Sequence, residues 1–310
     1  MNIVCSIDNN YVEHCCVMLC SFFRNNLEEQ HTIFLLGESL TVGNQGIINN
    51  LVELYNGKFI YCQVAPEALQ DCPIKETDHL TIATYFRLFM ARLLPQKVDK
   101  ILYLDCDIVI DGSLKELWDT NLDNYALAAI EEMRWHYSDV FDRLEFDKKY
   151  GYFNAGVILV NLDYWRKQHL TERFINYLSS NSAKLKARDQ DVLNAVLHDK
   201  CLHISCKWNV ETGFCMHEFL KLQGFNSDLL KIIRQPIIIH YTWKPKPWEG
   251  HCKHPFRIVY YTYYNKLPIT IKELFGKSLS LEKCLRLYWY KYYYQLLLTF
   301  SVKKEKYYKL

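Results

Sequence analysis

The sequence predicts an α/β protein whose central sheet is mostly parallel and is covered by helices on both faces. Short apolar runs typical of strands alternate along the chain with segments whose apolar residues recur at helical spacing. Such an alternation requires crossover connections, which produce this architecture. The 310 residues are 50% hydrophobic and 23% charged, with only 11 glycines and 8 prolines. This composition supports a large buried core and excludes disordered and collagen-like chains.

The first half of the chain shows this alternation from its first residues. Residues 3–7 predict a strand that ends at the turn signal Asp8-Asn9-Asn10. From Val12 onwards, apolar residues recur at i, i+3, i+4 and i+7 and predict a helix. The next predicted elements are a strand at 32–36, a helix at 44–55, a strand at 58–62 and a helix at 80–94 that stops at Pro95.

The second half continues the pattern around one acidic motif. Residues 100–104 form a predicted strand that is apolar after Lys100 and runs directly into Asp105-Cys106-Asp107. Ligands of such sheets bind beyond the carboxyl ends of the strands, so residues that follow strands are the first site candidates. The later predicted elements are a strand at 153–162, helices at 164–178 and 189–197, and a strand at 236–239 that ends at His240.

The C-terminal segment differs in charge from the rest of the chain. Residues 283–310 carry seven lysines and arginines against one glutamate, although the whole chain has a net charge of only +2. The segment is also rich in tyrosine and tryptophan, a composition typical of a membrane-surface helix. Its longest uncharged stretch, 292–302, is too short to span a bilayer. The alternative is a helix that packs on the core with a solvated basic face.

Charge and cysteine content narrow the function classes. The near-neutral net charge argues against nucleic acid as a partner. The twelve cysteines contain no C-x-x-C pair, and the cluster His251-Cys252-Lys253-His254 lacks the partner pair of a zinc site. The chain begins directly with an apolar strand, so we expect no signal peptide, reduced thiols and a cytoplasmic location.

The D-x-D motif at Asp105 and Asp107 predicts a divalent cation site. Two carboxylates that follow a buried strand are costly without a cation, and oxygen ligands favour Mn²⁺ or Mg²⁺. The alternative is that both residues merely form a turn, because a second D-x-D occurs at 189–191 and chance alone gives about one such motif. Haloacid-dehalogenase-like phosphatases also carry D-x-D after a strand, but the chain has no GDxxxD motif for them.

Six collinear segments resemble family 8 of the retaining glycosyltransferases. The resemblance is strongest to the bacterial branch that extends lipopolysaccharide or lipooligosaccharide with glucose or galactose, and it covers about residues 2–250. The segments are NIVCSIDNNY at 2–11, TYFRL at 84–88, YLDCDIV at 103–109, FNAGV at 153–157, DQDVLN at 189–194, and HY at 240–241 followed by KPW at 246–248.

This resemblance implies a GT-A fold and a donor that is a uridine diphosphate sugar, either UDP-glucose or UDP-galactose. We expect a GT-A domain at 1–265 and, from the composition of the C-terminal segment, a helical, membrane-associating tail at 266–310. It also implies that Asp105, Asp107 and His240 hold Mn²⁺, or Mg²⁺, and that Lys246 helps to stabilise the departing diphosphate.

Further site residues follow from the same resemblance. Asp189 and Gln190 are the expected catalytic residues, with Gln190 nearest the anomeric carbon. Because an amide is a poor nucleophile, we expect same-face substitution, in which the donor phosphate accepts the proton of the acceptor. The donor-binding residues implied are Ser6, Asp8, Asn10, Arg87, Asp105, Cys106, Asn154, Ala155, Asp189, Gln190 and Lys246.

Departures from the family pattern leave an alternative open. Trp243 stands where the family commonly has glycine near the phosphate, so it could reshape or block the donor pocket and leave a sugar-nucleotide-binding pseudoenzyme. Residues 131–150 are predicted to form an active-site or acceptor loop. We expect the acceptor to be a saccharide or glycolipid, and the tail to attach the protein to the cytoplasmic face of the inner membrane.

Overall fold

A computed structural model describes residues 1–70, 72, 82–132, 139–216, 227–276 and 280–307. The strands are β1 Asn2–Ser6, β2 Thr32–Gly37, β3 Lys58–Gln63, β4 Lys100–Leu104, β5 Ile108–Ile110, β6 Leu127–Ala129, β7 Val157–Asn161, β8 Cys201–His203, β9 Val210–Glu211 and β10 Ile238–His240. The α-helices are α1 Val12–Asn25, α2 Val42–Leu54, α3 Met90–Leu93, α4 Lys115–Trp118, α5 Val140–Leu144, α6 Leu162–Lys167, α7 Leu170–Asn181, α8 Arg188–Leu197, α9 Ser227–Arg234, α10 Arg257–Asn265, α11 Ile269–Phe275 and α12 Leu281–Tyr307. The 3₁₀ helices are Asn9–Tyr11, Pro66–Leu69, Ile82–Phe89, Lys148–Tyr150, Ser182–Lys184, His198–Lys200, Cys206–Trp208 and Thr212–Cys215.

The chain folds into two compact units. The first unit contains Met1–Cys15, Leu27–Cys106 and Lys115–Ser205. The second unit contains Cys16–Asn26, Asp107–Leu114 and Cys206–Leu310. The predicted division at residue 265 stays a prediction.

The first unit is built on a seven-stranded sheet with the order β3-β2-β1-β4-β7-β6-β8. Strands β3, β2, β1 and β4 run parallel, whereas β7 runs antiparallel to both β4 and β6. The carboxyl ends of β1, β4 and β6 therefore meet at one edge, together with the amino end of β7. A backbone hydrogen bond of 2.8 Å from the Asp105 N–H to the Gly156 carbonyl joins two of these ends.

The core of the first unit explains why its elements form. Strand β4 is buried along nearly its whole length, as a central strand covered on both faces must be. Trp165 of α6 packs against Phe174 of α7 at 5.1 Å and donates a hydrogen bond to the Ala126 carbonyl, which anchors both helices to the sheet. Burial of such large aromatic side chains is the dominant stabilising contribution in a core.

Three predicted elements differ in detail from the structure. The helix expected at 80–94 is a 3₁₀ helix, Ile82–Phe89, followed by α3, and residues 80 and 81 lie outside the described residues. The helix expected at 164–178 is interrupted between α6 and α7 by His169, which has a φ of +51°. The strand expected from residue 153 begins at Val157, because the backbone N–H groups of residues 153, 155 and 156 donate to the side chains of Asn194, Gln190 and Asn154 and not to a neighbouring strand.

The second unit contains a three-stranded sheet with the order β5-β10-β9. Strand β10 runs antiparallel to β5, and His240 is paired with Ile108. The Tyr241 N–H also donates to the Asp107 carbonyl at 3.0 Å. The sheet register therefore places His240 beside Asp107.

The C-terminal helix α12 packs on the second unit through one face. Tyr294 donates a hydrogen bond to the Cys215 carbonyl at 2.9 Å, Gln295 donates to the Arg234 carbonyl at 3.0 Å, and Leu298 is buried. Several of its other large side chains, among them Leu285, Trp289, Tyr292 and Tyr293, are exposed. The predicted C-terminal helix is confirmed. Within the described part of the chain, no helix combines the length and the hydropathy needed to cross a bilayer.

Candidate functional site

The predicted site residues fall into two groups, one in each unit. The first group is centred on Arg87, which is only 5% exposed. Its guanidinium lies 2.8 Å from an Asp105 oxygen and 2.9 Å from an Asp189 oxygen, and it stacks over the Tyr103 ring at 4.3 Å. It also donates to the Ala155 carbonyl. Arg87 therefore links the end of β4, the start of α8 and the segment before β7.

The charges of this group reinforce one another. Burial lowers the pKa of Arg87, but the carboxylates of Asp105 and Asp189 outweigh it and raise the pKa above its usual value. Burial raises the pKa of Asp189, although Arg87 and a hydrogen bond from Thr84 oppose that shift. A guanidinium that stays charged and is held by two carboxylates is a rigid cation at the carboxyl edge of the sheet.

The side chains of Asn154 and Gln190 are fixed by a shared partner. The Gln190 side-chain oxygen accepts a hydrogen bond of 2.9 Å from the Ala155 N–H, and its amide nitrogen donates to Glu132 at 3.3 Å. The Asn154 amide donates to the same Glu132 oxygen at 2.7 Å. The Gln190 amide therefore has a defined orientation at the start of α8.

Glu132 is a site residue that the sequence analysis missed as an individual. It lies in the predicted loop 131–150 and is buried. The sequence carried one indication of this role, because Glu131 and Glu132 follow a short apolar segment. That segment forms β6, whose carboxyl end lies at the edge of the sheet that carries the site. This indication can be interpreted only when the strand pairing is known, because the pairing brings β6 next to β7.

The remaining predicted residues of the first unit lie near the ends of β1 and β4. Ser6 is the last residue of β1. The Asp8 carboxylate accepts a hydrogen bond of 2.8 Å from the Asn10 N–H and so caps the 3₁₀ helix Asn9–Tyr11. Cys106 lies two residues beyond β4, and its sulfur is within 4.8 Å of the sulfurs of Cys5 and Cys15. These residues follow adjacent parallel strands, as the prediction requires.

The second group is centred on Asp107. One of its carboxylate oxygens lies 3.1 Å from His240 Nε2 and the other lies 2.6 Å from Lys246 Nζ. Burial would raise the pKa of Asp107, but the positive charges of Lys246 and His240 and their hydrogen bonds hold it well below its usual range. The carboxylate is therefore ionised at neutral pH and ready to bind a cation.

His240 is buried, and a residue that the sequence analysis missed orients its ring. His240 Nδ1 lies 2.9 Å from the Asn209 side-chain oxygen. If Nδ1 donates to that oxygen, the ring is fixed with Nε2 towards Asp107, and Nε2 is the nitrogen that would bind a cation placed there, as in metal-binding histidines. Nothing in the sequence near Asn209 signals this role, because its partner is 31 residues away.

The donor atoms at this site fit a divalent cation. A carboxylate oxygen and an imidazole nitrogen converge within the second unit, and Asp105 lies only two residues before Asp107 along the chain. Oxygen and imidazole ligands are those that Mn²⁺ accepts. The Lys246 ammonium, 2.6 Å from Asp107, shows that this carboxylate already binds one positively charged group.

Trp243, the main departure from the family pattern, lines a cavity of about 260 Å³ within the second unit. Tyr241, Tyr290 and Tyr294 line the same cavity. Two of these tyrosines belong to α12, so the C-terminal helix and the segment after His240 share an aromatic surface. The effect of Trp243 on donor binding stays a prediction.

His254, in the segment 251–254 that the sequence analysis set aside as a metal site, has a buried imidazole. Its Nδ1 accepts a hydrogen bond of 3.1 Å from the Phe256 N–H. Burial, and to a lesser extent the charge of Lys246, lowers its pKa from 6.5 to about 3. The imidazole is therefore neutral in the folded protein at pH values where the unfolded chain is protonated.

We expect this histidine to make stability depend on pH. The unfolded chain binds a proton below about pH 6.5 and the folded protein does not, so the free energy of unfolding falls as the pH falls towards 3. The loss attributable to His254 is about 2 kcal/mol at pH 5. Urea unfolding at pH 7.5 and pH 5 should show a smaller difference for His254→Gln than for the parent. His251→Gln, which changes an exposed histidine, should keep the parent's difference, and equal differences in parent and His254→Gln would refute the assignment.

The chain resembles known proteins over most of its length. The profile of glycosyl transferase family 8 matches residues 2–252. A putative glycosyltransferase of Haemophilus influenzae is 30% identical over 266 residues, which cover 82% of this chain and 74% of that protein. The lipopolysaccharide 1,3-galactosyltransferase of Salmonella typhimurium is 29% identical over 259 residues, which cover 82% of this chain and 74% of that protein.

A solved structure shares the fold. The galactosyltransferase LgtC, in complex with donor and acceptor sugar analogues, has a TM-score of 0.77 and 22% identity, covering 91% of this chain and 98% of that one. The predicted GT-A architecture is thus confirmed, and the phosphatase alternative has no support. The family profile covers most of the chain, including the D-x-D and the Arg87 group, and we conclude that the chain belongs to glycosyl transferase family 8.

Proposed function

We propose that this protein is a retaining hexosyltransferase that moves glucose or galactose from a UDP-sugar to a saccharide acceptor in a Mn²⁺-dependent reaction. The observation that carries the proposal is the pairing of an ionised Asp107 with an oriented His240, directly after Asp105. The proposed acceptor is lipopolysaccharide core or another lipid-linked surface glycan. Relatives named as lipopolysaccharide 1,3-galactosyltransferase and 1,2-glucosyltransferase support this acceptor class.

In this proposal, Asp105, Asp107 and His240 hold Mn²⁺, with Mg²⁺ as the alternative ion. The bound cation supplies positive charge that stabilises the departing uridine diphosphate. Lys246 lies beside Asp107 and is positioned to bind phosphate oxygens of the donor. Ser6, Asp8 and Asn10 bind the uridine at the end of β1.

The first unit then orients the sugar. Arg87 bridges Asp105 and Asp189, so its rigid positive charge holds both carboxylates in place. The Gln190 amide is fixed by Ala155 and Glu132, which suits it to stabilise positive charge at the anomeric carbon through its oxygen. The acceptor hydroxyl attacks the face that the diphosphate leaves, and a donor phosphate oxygen takes the hydroxyl proton.

A donor panel tests the proposal. Purified protein is incubated with each nucleotide sugar, with Mn²⁺ or with EDTA, and released uridine diphosphate is measured without acceptor. We expect slow, Mn²⁺-dependent release from UDP-glucose or UDP-galactose alone. Absence of release together with retained UDP-sugar binding would favour the sugar-nucleotide-binding pseudoenzyme. Absence of both would contradict the proposed donor, and Trp243→Gly would then show whether the tryptophan blocks the pocket.

We further propose that α12 attaches the protein to the cytoplasmic face of the membrane. Trp289 and Tyr293 stack at 5.4 Å on its exposed side, and Trp289 is 64% exposed. Lys283, Arg286 and Lys291 lie on the same helix, and each basic residue near an anionic surface contributes about 1 kcal/mol. Exposed aromatics combined with basic residues suit a reversible peripheral attachment.

Replacing both Trp289 and Tyr293 by serine should lower binding to anionic phospholipid vesicles by at least about tenfold, measured by co-sedimentation. Activity on a soluble acceptor should not change. Truncation before Leu285 would also remove the packed residues Tyr294 and Leu298, so point variants isolate the surface better. The matched control is Val42→Ser with Leu54→Ser, two exposed apolar residues of α2. Equal vesicle binding by both double variants would refute the attachment.

A further inference from the structure

Three cysteine side chains converge in the interior of the first unit from three separate segments. Cys5 lies on β1, Cys15 on α1, and Cys106 two residues after β4. The sulfurs of Cys5 and Cys15 are 3.9 Å apart, and all three sulfurs lie within 4.8 Å of one another. None of the three is in a disulfide, and all are buried.

These separations match the ligand shell of a soft ion. Three sulfurs bound at about 2.3 Å in a plane around one ion are about 4.0 Å apart. The observed separations, from 3.9 Å up to 4.8 Å, are therefore within about 1 Å of that arrangement. Small side-chain rotations would complete it.

The number of ligands distinguishes between soft ions. Among the residues that the structure describes, the cluster contains three ligand atoms and no fourth histidine, cysteine or carboxylate. Structural Zn²⁺ sites take four ligands, whereas Cu(I) is selected by thiolates and is satisfied by three. We propose that Cys5, Cys15 and Cys106 form a three-thiolate binding site for Cu(I).

Binding involves no redox step. Each thiol gives its proton to solvent as its sulfur binds the ion, and copper remains Cu(I). The bound ion would link β1, α1 and the segment that ends at Cys106, all within the first unit. The carboxylates beside Cys106 do not compete for it, because oxygen ligands prefer harder ions such as Mn²⁺.

The test is a titration of the reduced full-length protein with Cu(I), without oxygen, in competition with a chromophoric Cu(I) chelator. We expect one equivalent to bind, and X-ray absorption to show three sulfurs at about 2.3 Å. Cys15→Ala should lower the affinity at least about 100-fold. Cys16→Ala and Cys20→Ala, which change other buried thiols of α1, should keep the parent's affinity.

The proposal is overturned if the parent takes up no Cu(I), if X-ray absorption shows two sulfurs, or if Cys16→Ala loses as much affinity as Cys15→Ala. Tighter binding of Zn²⁺ than of Cu(I) at this cluster also overturns it. Circular dichroism checks that each variant folds, and the X-ray absorption measurement on the parent stands if Cys15→Ala does not fold. Loss of transferase activity plays no part in the test, so the proposed function is judged separately.

Discussion

Replacing Asp107 by alanine should lower kcat/KM for hexosyl transfer by at least about 10³-fold and abolish the response to Mn²⁺. The variant removes the carboxylate that lies between His240 and Lys246. It therefore removes a proposed metal ligand and leaves the buried Lys246 ammonium without its carboxylate partner. The measurement is steady-state release of uridine diphosphate at a series of Mn²⁺ concentrations.

Two further variants separate the chemistry from the folding. Asp107→Asn keeps the shape of the side chain but removes its charge, and we expect a similar loss with a smaller change in stability. Asp119→Ala changes an exposed carboxylate that pairs with Lys115 at 3.2 Å, and it should behave like the parent. If Asp107→Asn kept Mn²⁺-dependent turnover within about threefold of the parent, Asp107 could not be a metal ligand.

The sequence predicted those parts of the site that local pattern determines. Strand β4 is apolar after Lys100, and the D-x-D of Asp105 and Asp107 follows it directly, so both the strand and the position of the motif could be predicted without tertiary information. His240 was found in the same way, at the end of a short apolar strand. Its observed strand includes His240 itself, which changes the boundary but not the position of the ring.

The parts that the sequence did not predict depend on pairing between distant segments. Glu132 joins the site because β6 lies next to β7, and Asn209 orients His240 across 31 residues. Arg87, viewed alone on an amphipathic helix, looks like a surface charge, because no local pattern shows that two distant carboxylates enclose it. Only the resemblance to family 8 indicated its role.

In the second D-x-D motif, we expect Asp191 to stabilise the fold, unlike the proposed catalytic residue Asp189. Replacement of Asp191 should show this. Asp191 is completely buried, unlike a residue that binds substrate. Its carboxylate accepts hydrogen bonds from Arg143 at 2.7 Å, from the Tyr152 hydroxyl at 2.8 Å, and from the backbone N–H groups of Lys186 and Ala187 at 2.7 and 2.8 Å. It holds the start of α8, where Asp189 and Gln190 lie.

Asp191→Ala should lower the free energy of unfolding by about 3–5 kcal/mol, measured by urea denaturation at pH 7. The variant leaves four donors without their acceptor, among them the mostly buried guanidinium of Arg143. Adding Arg143→Ala should cost less than the sum of the two single changes, because the two side chains are partners. Activity should fall as well, because the start of α8, which carries Gln190, loses the hydrogen bonds that hold it in place.

The control is a carboxylate in a surface pair. Asp163 lies 2.6 Å from Lys167 one helical turn away, with both side chains exposed, so Asp163→Ala should lower stability by at most about 1 kcal/mol. The contrast depends on burial of the carboxylate, since a fully buried carboxylate with four hydrogen-bond donors cannot be replaced by water whereas an exposed one can. A loss below about 1 kcal/mol for Asp191→Ala would mean that Asp191 does not anchor α8. Its burial would then have to be explained by a role closer to that of Asp189.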